Sequence, residues 1–315
     1  MFDDRMNRRI LAVTQGFFFV LMLAGCNDRA ADTATSGKIS IAVDEAFQPI
    51  IQAQVDAFQA SYKYAKITPI YTTEGQAVQL LLADSVRSVV MTRTLNEKEK
   101  EYFVNKKIKP DTLKIATEAV ALIVNRKNPD SLLTLNRLRA LMNGSVKTWN
   151  EVSGKGANKE VVIVFDNANS SNLGYIKEKF DLGTDFDKRV FAAGSNQKVI
   201  EYVQQNEYAI GFIGVSWISD WEDDPKQYKF KNSVTTVAVA DKDDAPMEEY
   251  FQPYAAYLQT KQYPLYRSLY IVSREARVGL GTGFAAYVAG EKGQLIIRKA
   301  GLLPATMPVR LVQFK

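Results

Sequence analysis

The chemistry of this chain must come almost entirely from hydroxyl, amide, carboxylate, amino and guanidinium groups, because its 315 residues include no histidine and one cysteine. Without histidine there is no Ser-His-Asp triad, no Cys-His dyad and no imidazole metal ligand. A lone cysteine allows neither an intramolecular disulfide nor a Cys-based zinc site. The groups that remain suit non-covalent binding of an oxyanion. We therefore expect no metal and no cofactor.

Paired carboxylates are the catalytic arrangement that this composition still permits. Asp44 and Glu45 are adjacent, and Asp166 follows an apolar run. Adjacent residues on a strand point to opposite faces, so Asp44 and Glu45 could cooperate only in a turn. No motif sets the separation of about 5–10 Å that two catalytic carboxyls need. An extracytoplasmic hydrolase therefore stays a disfavoured alternative.

Length and charge place the chain among ordinary globular proteins. It is 46% hydrophobic and 24% charged, a composition that suits two α/β domains or one large one. Its formal net charge of +5 comes from 40 basic and 35 acidic residues without a basic run. This distribution gives little support to nucleic-acid binding.

The first residues have the pattern of a secretory signal. Arg5, Arg8 and Arg9 precede an apolar stretch at residues 10–24, which is too short to span a bilayer as a helix. Residues 23–26, Leu-Ala-Gly-Cys, resemble the lipobox of bacterial lipoproteins. That resemblance implies cleavage before Cys26 and lipid attachment at this residue. The alternatives are a stray buried cysteine after an unrelated apolar run, and translation from Met6 in place of Met1.

Strands and helices alternate after a small, polar stretch at residues 26–37, which we interpret as a flexible tether. A second block of elements begins near residues 119–125. Hydrophobic periodicity predicts strands at residues 39–43, 67–71, 88–91, 161–165, 209–215 and 263–272. It predicts helices at residues 47–58, 77–83, 97–105 and 135–142, after Ser171, from the N-cap Ser195 to about Asn206, and as a pair at residues 283–300. Turns are predicted at residues 221–224 and 241–244. The alternation indicates crossover units and a mostly parallel sheet, which binds ligands at the carboxyl ends of its strands.

Three segments together resemble the phosphate-binding type of substrate-binding protein that serves bacterial ABC importers. Residues 133–151 are similar to that family's Leu-Thr, helix, Gly, Trp-Asn segment, and residues 209–214 to its small-residue strand. Residues 263–270, followed by 284–288, 293–294 and 300–304, are similar to its C-terminal region. The resemblance implies an α/β, two-lobed periplasmic-binding-protein-like (type II) fold. Such a fold has mixed, mostly parallel sheets with helices on both faces, and two chain crossings that form a hinge.

The resemblance also implies where a ligand would bind. In the family, hydroxyls and backbone N–H groups at helix starts hold the oxyanion, with an arginine in many members. Four loops of this chain lie in matching places, beginning with the loop at residues 44–47. The ligand-binding residues that the other three loops imply are Thr72, Thr73 and Gly75 after the second strand, Thr92 and Arg93 after the third, and Asn169, Ser170, Ser171 and Asn172. Because Phe165 stands where many members have arginine, Arg93 is left as the cation among these motif positions.

Each of these positions also has a simpler interpretation. Arg93 could pair with Glu97 on the next helix, and the Asn169–Asn172 cluster could serve only as a helix N-cap. Asp44, Glu45, Glu74 and Asp166 would repel an anion if they faced it. We therefore expect these acids to point away, to cap helices, or to belong to a site for another ligand.

We also expect a particular domain organisation, cellular location and set of partners. The predicted parts are a signal peptide at 1–25, a tether at 26–37, a first lobe at 38–120 plus 240–315, and a second lobe at 121–239. The chain would be a monomer of the cell envelope, lipid-anchored and facing the periplasm or exterior. Its partners would be phosphate or a similar oxyanion, ABC permease subunits and the membrane. An anion sensor or surface interaction protein with the same fold is the main alternative.

Overall fold

The structure is a computed structural model that describes residues 32–154, 156–183, 190–220 and 229–307. The chain divides into two units, Met1–Asp32 and Thr33–Lys315, and every element below belongs to the second. The predicted signal, Cys26, the first part of the tether and the predicted turn at 221–224 lie outside the described residues. Within the described ranges, no helix combines the length and the apolar character needed to cross a bilayer.

Most helices of the described residues begin a few residues after the end of a strand. In order they are α1 (Gln48–Ser61), α2 (Glu74–Leu82), α3 (Glu97–Asn105), α4 (Leu135–Met142), α5 (Trp149–Ser153), α6 (Ser171–Phe180), α7 (Asn196–Gln205), α8 (Val215–Ile218), α9 (Ala255–Gln259), α10 (Leu280–Ala289) and α11 (Glu291–Lys299). Two short 3₁₀ turns lie at Glu45–Phe47 and Met247–Glu249.

The strands range from short bridging pairs to one long central strand. In order they are β1 (Gly37–Asp44), β2 (Ala65–Thr72), β3 (Ser88–Met91), β4 (Asp111–Val124), β5 (Leu132–Thr134), β6 (Val162–Phe165), β7 (Val190–Ala192), β8 (Ala209–Gly214), β9 (Ser219–Asp220), β10 (Lys229–Phe230), β11 (Thr235–Thr236), β12 (Ala238–Ala240), β13 (Tyr266–Ser273) and β14 (Leu303–Pro304).

Ten of these strands form one mixed sheet, whose main path runs β2-β1-β3-β13-β4-β8-β6-β7. The two wings are parallel: β1 pairs with β2 and β3, and β6 pairs with β7 and β8. The centre is antiparallel, because β13 returns between β3 and β4, and β4 then pairs with β8. The long strand β4 therefore belongs to both wings.

Helices cover both faces of the first wing because its buried strands are apolar on both sides. In β1, Ile41 and Val43 join the larger core cluster with α1, whereas Ala42 points the other way. Ala42 joins a second core cluster that includes Leu81 of α2 and Phe103 of α3. This alternation follows the two-residue period of a strand.

The parallel arrangement of β1, β2 and β3 determines where the polar loops lie. Their registers bring all three carboxyl ends to the same edge of the sheet. The loops that begin at Asp44, Thr72 and Thr92 therefore leave the sheet as neighbours, as we expect for a ligand site in an open α/β sheet.

The predicted elements agree with the structure wherever the signal is local. Strand β3 and helices α3 and α4 have the predicted bounds, and Ser195 caps α7 as expected. Helix α2 begins three residues earlier than predicted because Thr73 caps it. Strand β4 begins eight residues before the predicted block at residue 119, because its exposed first residues, 111–114, pair with the end of β13.

Candidate functional site

A cleft of about 680 Å³ opens beside the carboxyl ends of the first-wing strands. The residues that line it come from the start of α2, from the loop after β3, from α6 and the two residues before it, and from the start of β13. They are Glu74, Gly75, Thr92, Arg93, Asn169, Ser170, Ser171, Gly174, Tyr175, Glu178, Lys179, Tyr266 and Arg267. The cleft thus collects side chains that are far apart in the chain.

Six of the nine residues predicted to bind ligand line this cleft, namely Gly75, Thr92, Arg93, Asn169, Ser170 and Ser171. The other three lie beside it. The Thr72 hydroxyl donates to the Gln76 side chain, and Thr73 is the N-cap of α2. Asn172 is fully buried behind the cleft wall.

The Glu74 carboxylate already accepts the hydrogen bonds that Thr92 and Arg93 could otherwise donate to a ligand. Glu74 Oε2 accepts hydrogen bonds from the Thr92 backbone N–H at 2.7 Å and from the Thr92 hydroxyl at 2.6 Å. Glu74 Oε1 lies 3.2 Å from Arg93 Nε. Three donors therefore converge on one internal carboxylate, in the manner of an oxyanion site.

Glu99 orients the rest of the Arg93 guanidinium. Its two oxygens each lie 2.8 Å from an Arg93 terminal nitrogen, and it also forms the capping box of α3 with Asn96. The hydrogen bond to Glu99 is the main reason why the pKa of Arg93 is raised. Burial is the largest single influence on Glu99 and opposes its ionisation, but the hydrogen bonds from Arg93 and from the Asn96 N–H, together with the charge of Arg93, outweigh burial and keep the pKa of Glu99 below its usual value. Arg93 therefore pairs with Glu99 and Glu74, whereas the simpler interpretation had it pair with Glu97.

The start of α6 forms the opposite wall. Ser170 is its N-cap and accepts a hydrogen bond from the Leu173 N–H at 3.1 Å. Ser171 and Asn172 occupy the first turn, where the positive end of the helix dipole favours a negative charge. The capping interpretation of this cluster is thus correct for Ser170, and it leaves room for a ligand at the same helix start.

Arg267 is the main functional residue that the sequence interpretation missed. It pairs directly with Glu118 across the antiparallel ladder of β13 and β4, and its Nε and Nη2 lie 3.1 and 2.9 Å from Glu118 Oε2. Its terminal nitrogens also donate to Ser171 Oγ at 3.0 Å and to Asn172 Oδ1 at 2.8 Å. Arg267 therefore ties β13 to the start of α6, and its side chain is 4% exposed.

One signal in the sequence does point to Arg267. Along β13 the buried positions alternate, and Arg267 lies on the same side as Leu269 and Ile271. A charged residue on the buried face of a strand requires a partner, because an unpaired buried charge is very unfavourable. The partners themselves are remote in the chain and have no local signature.

Three buried acids lie next to the cleft without lining it. Asp44 caps the 3₁₀ turn after β1 by accepting from the Ala46 N–H at 3.0 Å, and Asp166 Oδ2 accepts from the Asn196 side chain at 3.3 Å. Burial raises the pKa of Asp44 to about 7 and that of Glu118 to about 7, although Arg267 opposes both shifts. Burial also raises the pKa of Asp166. These carboxyls hold protons more tightly than ordinary acids, which lowers their repulsion of an anion nearby.

The expectation that the acids point away or cap helices holds for Asp44, Glu45 and Asp166. Glu45 Oε1 accepts from the Asn196 N–H at 3.3 Å, at the start of α7. Burial raises the pKa of Glu45 as well. Glu74 is the exception among the four, because it lies in the cleft wall.

Binding is the chemistry that this arrangement supports. No cluster of three or more histidine, cysteine or acidic side chains among the described residues could hold a metal ion. The carboxyls of Asp44 and Asp166 lie outside the cleft lining, so they are not placed to act on a molecule within it. The hydroxyls, guanidinium groups and helix start are placed to hold an anion.

Comparisons with known proteins agree with this interpretation. The family model described as PBP superfamily domain matches residues 28–292. A phosphate-binding protein PstS of Staphylococcus saprophyticus is 26% identical over 251 residues, which cover 78% of this chain and 74% of the relative. A phosphate-binding protein PstS of Pseudomonas aeruginosa is 25% identical over 296 residues, covering 89% of this chain and 86% of the relative. The resemblance to phosphate-type substrate-binding proteins is thereby confirmed.

Solved structures show the same architecture. A putative phosphate ABC transporter substrate-binding protein with bound phosphate from Clostridium perfringens has a TM-score of 0.72 and 20% identity, covering 86% of this chain and 100% of that one. An ABC-type phosphate transport receptor from Vibrio cholerae has a TM-score of 0.63 and 18% identity, covering 86% of this chain and 100% of that one. These likenesses confirm the predicted fold class.

Proposed function

Because the chain belongs to the PBP superfamily, we propose that it is the solute-binding component of an ABC importer for phosphate or a similar oxyanion, without catalysis of its own. The names of the curated relatives support phosphate as the first ligand to test. The domain boundaries of the sequence analysis belong to the same proposal, with one lobe at residues 38–120 plus 240–315 and the other at 121–239.

The observation that carries this proposal is the convergence of donors on Glu74. The backbone and hydroxyl of Thr92 and the Nε of Arg93 already hold two carboxylate oxygens. A phosphate oxygen pair can replace that carboxylate with the same hydrogen bonds, because both are oxyanions. The incoming anion then takes the donors of Thr92 and Arg93, and Glu74 turns away.

The opposite wall would complete the site. The start of α6 offers Ser170, Ser171 and the positive end of a helix dipole. Arg267 adds a buried positive charge behind Ser171. An anion held between Arg93 and α6 would draw the two lobes together by hinge motion, as two-lobed binding proteins close on their ligands.

We also propose attachment to a membrane through Cys26, which places the protein in the cell envelope. The lipobox-like residues 23–26 support this part of the proposal. Several acyl chains would give stable anchoring where one would be marginal. The ligand site and the attachment point would then be separate parts of one chain, joined by a segment that ends before β1 begins at Gly37.

A thermal-shift panel tests the ligand. Phosphate, sulfate and molybdate are added in turn to residues 33–315, and a ligand that binds the folded state raises the melting temperature with concentration. We expect phosphate to give the largest shift and Arg93→Ala to reduce it. The ligand proposal fails if none of the three anions shifts the transition. Phosphate uptake by cells that lack this protein, with and without its return, separates an importer from a sensor.

A further inference from the structure

The edge of the sheet opposite the cleft gathers four segments that are separate in the chain. Strands β1 and β2 begin there together, with Gly37 paired to Ala65. Ser273 at the end of β13 pairs with Ser88 at the start of β3 and with Asp111 at the start of β4. We name this edge the amino-end face and define it by residues 62–66, 84–87, 105–111 and 274–278, with the first residues of β1.

The amino-end face is rich in exposed basic side chains. Lys63 and Lys66 flank the start of β2, and Lys107 and Lys109 follow α3, all with exposed side chains. Among the acids of these segments, Asp84 is paired with Arg274 at 3.2 Å, the Glu275 carboxylate is buried against the start of α10, and Asp111 is exposed, so the exposed lysines outnumber the exposed unpaired acid. The outward charge of the face is therefore positive.

Two lysines are neighbours across adjacent strands. Lys38 of β1 is in register with Lys66 of β2, and both are exposed. Like charges in neighbouring cross-strand positions are unfavourable for the fold. A negatively charged surface would relieve this repulsion, because both ammonium groups could pair with anionic groups outside the protein.

A groove continues the positive surface. A cavity of about 310 Å³ is lined by Arg87, Arg274, Arg277 and Ile108, among others. A second cavity beside it shares Arg87 and includes Lys38. Asp84, which pairs with Arg274, also lines both cavities, and Glu275 lines the first. Basic side chains thus recur from β1 to the loop after β13.

The same face carries apolar side chains that reach far into solvent. Tyr64 is 86% exposed and Val278 is 74% exposed, and Val104, one residue before the 105–111 segment, is 70% exposed; these are the highest values among the large hydrophobic residues described. Tyr64 stands between Lys63 and Lys66, and Val278 follows Arg277. Aromatic and apolar residues interleaved with basic ones suit the headgroup layer of a membrane, where ammonium groups meet phosphates and rings enter the interface.

The chain reaches the domain at this face. β1 begins at Gly37, whose N–H donates to the Tyr64 carbonyl at 2.9 Å, and residues 27–36 separate it from Cys26. A tether fixed to a membrane at Cys26 would therefore deliver this face, rather than the cleft, to the lipid surface. The part of the proposed function on which this step rests is the attachment at Cys26, and the ligand does not enter it.

We propose that the amino-end face rests on an anionic phospholipid surface and holds the cleft away from it. Basic residues near such a surface each contribute modestly, and the attraction falls within a Debye length. The contact is therefore reversible and weakens with salt. The domain can leave the surface to meet a permease and return to it.

Vesicle binding by residues 33–315, which contain every described element, tests this proposal without the anchor. Vesicles of phosphatidylglycerol with phosphatidylcholine are compared with vesicles of phosphatidylcholine alone. We expect binding to the anionic vesicles, release as potassium chloride is raised, and no binding to the neutral vesicles. Absence of binding to the anionic vesicles, or equal binding to both kinds, would overturn the proposal.

A matched pair of triple variants locates the contact. Lys63→Gln, Lys66→Gln and Lys109→Gln together should lower the partition coefficient by about 100-fold, since each basic residue contributes roughly a factor of five. Lys159→Gln, Lys198→Gln and Lys231→Gln remove the same charge from exposed positions outside the face, and binding should change by less than about twofold. Equal losses in the two variants would overturn the proposal, because net charge alone would then explain binding.

The two proposals fail independently in these experiments. The shift in melting temperature caused by phosphate should be the same in both triple variants, because the cleft lies at the other edge. A domain that binds anionic vesicles without a phosphate shift would support the surface and contradict the ligand. A domain that shows the phosphate shift without vesicle binding would do the reverse.

Discussion

At the scale of single residues, Glu74 blocks the hydrogen-bond donors of the cleft that the proposed anion would use. Its two oxygens hold the Thr92 and Arg93 donors that an anion would need. The carboxylate therefore acts as an internal competitor, and its negative charge also repels an incoming anion. Both effects would lower the affinity of the proposed site for phosphate in the wild-type chain.

Replacing Glu74→Gln should consequently strengthen phosphate binding. Removal of one charge a few ångströms from the anion relieves a repulsion of at least about 1 kcal/mol, which corresponds to roughly a fivefold to tenfold lower Kd. Glu178→Gln is the matched control, because it removes the same charge from an exposed position of the same cleft. Calorimetric titration of both variants checks this, and an unchanged or weaker affinity for Glu74→Gln would argue against the competitor role.

The buried acids around Arg267 predict how stability depends on pH. Burial raises the pKa of Asp44 and of Glu118 to about 7, so the folded state holds protons that the unfolded chain has lost between about pH 4 and 7. A group with a raised pKa stabilises the fold below its unfolded pKa, and this stability is lost as the pH rises through the folded value. The free energy of unfolding should therefore fall from pH 5 to pH 8.

The variant Asp44→Asn separates this contribution from the rest of the molecule. An amide cannot ionise, so the slope of unfolding free energy against pH should flatten by up to about 1.4 kcal/mol per pH unit in that range. Urea denaturation at several pH values measures the slope. A wild-type stability that rises between pH 5 and pH 8, or an equal slope in both proteins, would contradict the assignment.

At the scale of elements, two glycines respond in opposite ways to the same substitution. A Cβ on Gly211 of β8 would meet Val199 Cγ1 at 2.8 Å and Ile123 Cγ1 at 2.9 Å. Gly174 of α6 has nothing within 4 Å of its Cβ position. The first glycine therefore allows α7 and β4 to approach β8 closely, whereas the second only loosens a helix.

Gly211→Ala should destabilise the domain by about 1–3 kcal/mol, because the methyl group overpacks the core between β8, β4 and α7. Gly174→Ala should stabilise it by roughly 0.5–1 kcal/mol, because alanine has the higher helix propensity. Chemical denaturation of the two variants compares them directly. If both variants changed the free energy of unfolding in the same direction, α7 and β8 would not pack as closely at Gly211 as described.

Local patterns predicted many elements well, and long-range pairing explains what they missed. Residues 88–91 and 97–105 carry complete signals of their own, the second with a capping box formed by Asn96 and Glu99. Residues 111–114 are exposed and mostly polar, and they form a strand because β13 lies beside them. Sequence patterns cannot reveal such a partner, because it lies more than 150 residues away in the chain.

The candidate site also has parts that the sequence predicts and parts that it does not. The loops after β2 and β3 and the start of α6 could be predicted, because each follows a recognisable element and matches a family motif. Side-chain geometry determines the rest of the site. Arg93 forms ion pairs with Glu74 and Glu99, and Arg267 donates a hydrogen bond to Ser171. Residue types alone could not separate a free arginine from one that is already paired.

At the scale of the whole molecule, the two proposals assign a role to two opposite edges of the sheet. The cleft lies at the carboxyl ends of the first-wing strands, and the amino-end face lies at their starts. A protein that closes around an anion at one edge while resting on a membrane at the other could present an open cleft to solutes. The two lobes proposed for the chain would move relative to each other during this cycle.

Closure predicts a smaller particle in the presence of ligand. Small-angle X-ray scattering of residues 33–315 with saturating phosphate should give a lower radius of gyration than without it, because hinge closure brings the lobes together. Arg93→Ala should show a weaker response at the same phosphate concentration. An unchanged radius in the wild-type domain at saturation would contradict closure of the lobes.

Isothermal titration of phosphate into residues 33–315 is the decisive test of an oxyanion site in the cleft. We expect saturable binding at one site per chain, weakened more than about tenfold by Arg93→Ala, since a charge-assisted contact is lost. We also expect Glu74→Gln to retain this site. Absence of binding in both the wild-type domain and Glu74→Gln would contradict the claim that this cleft is an oxyanion site.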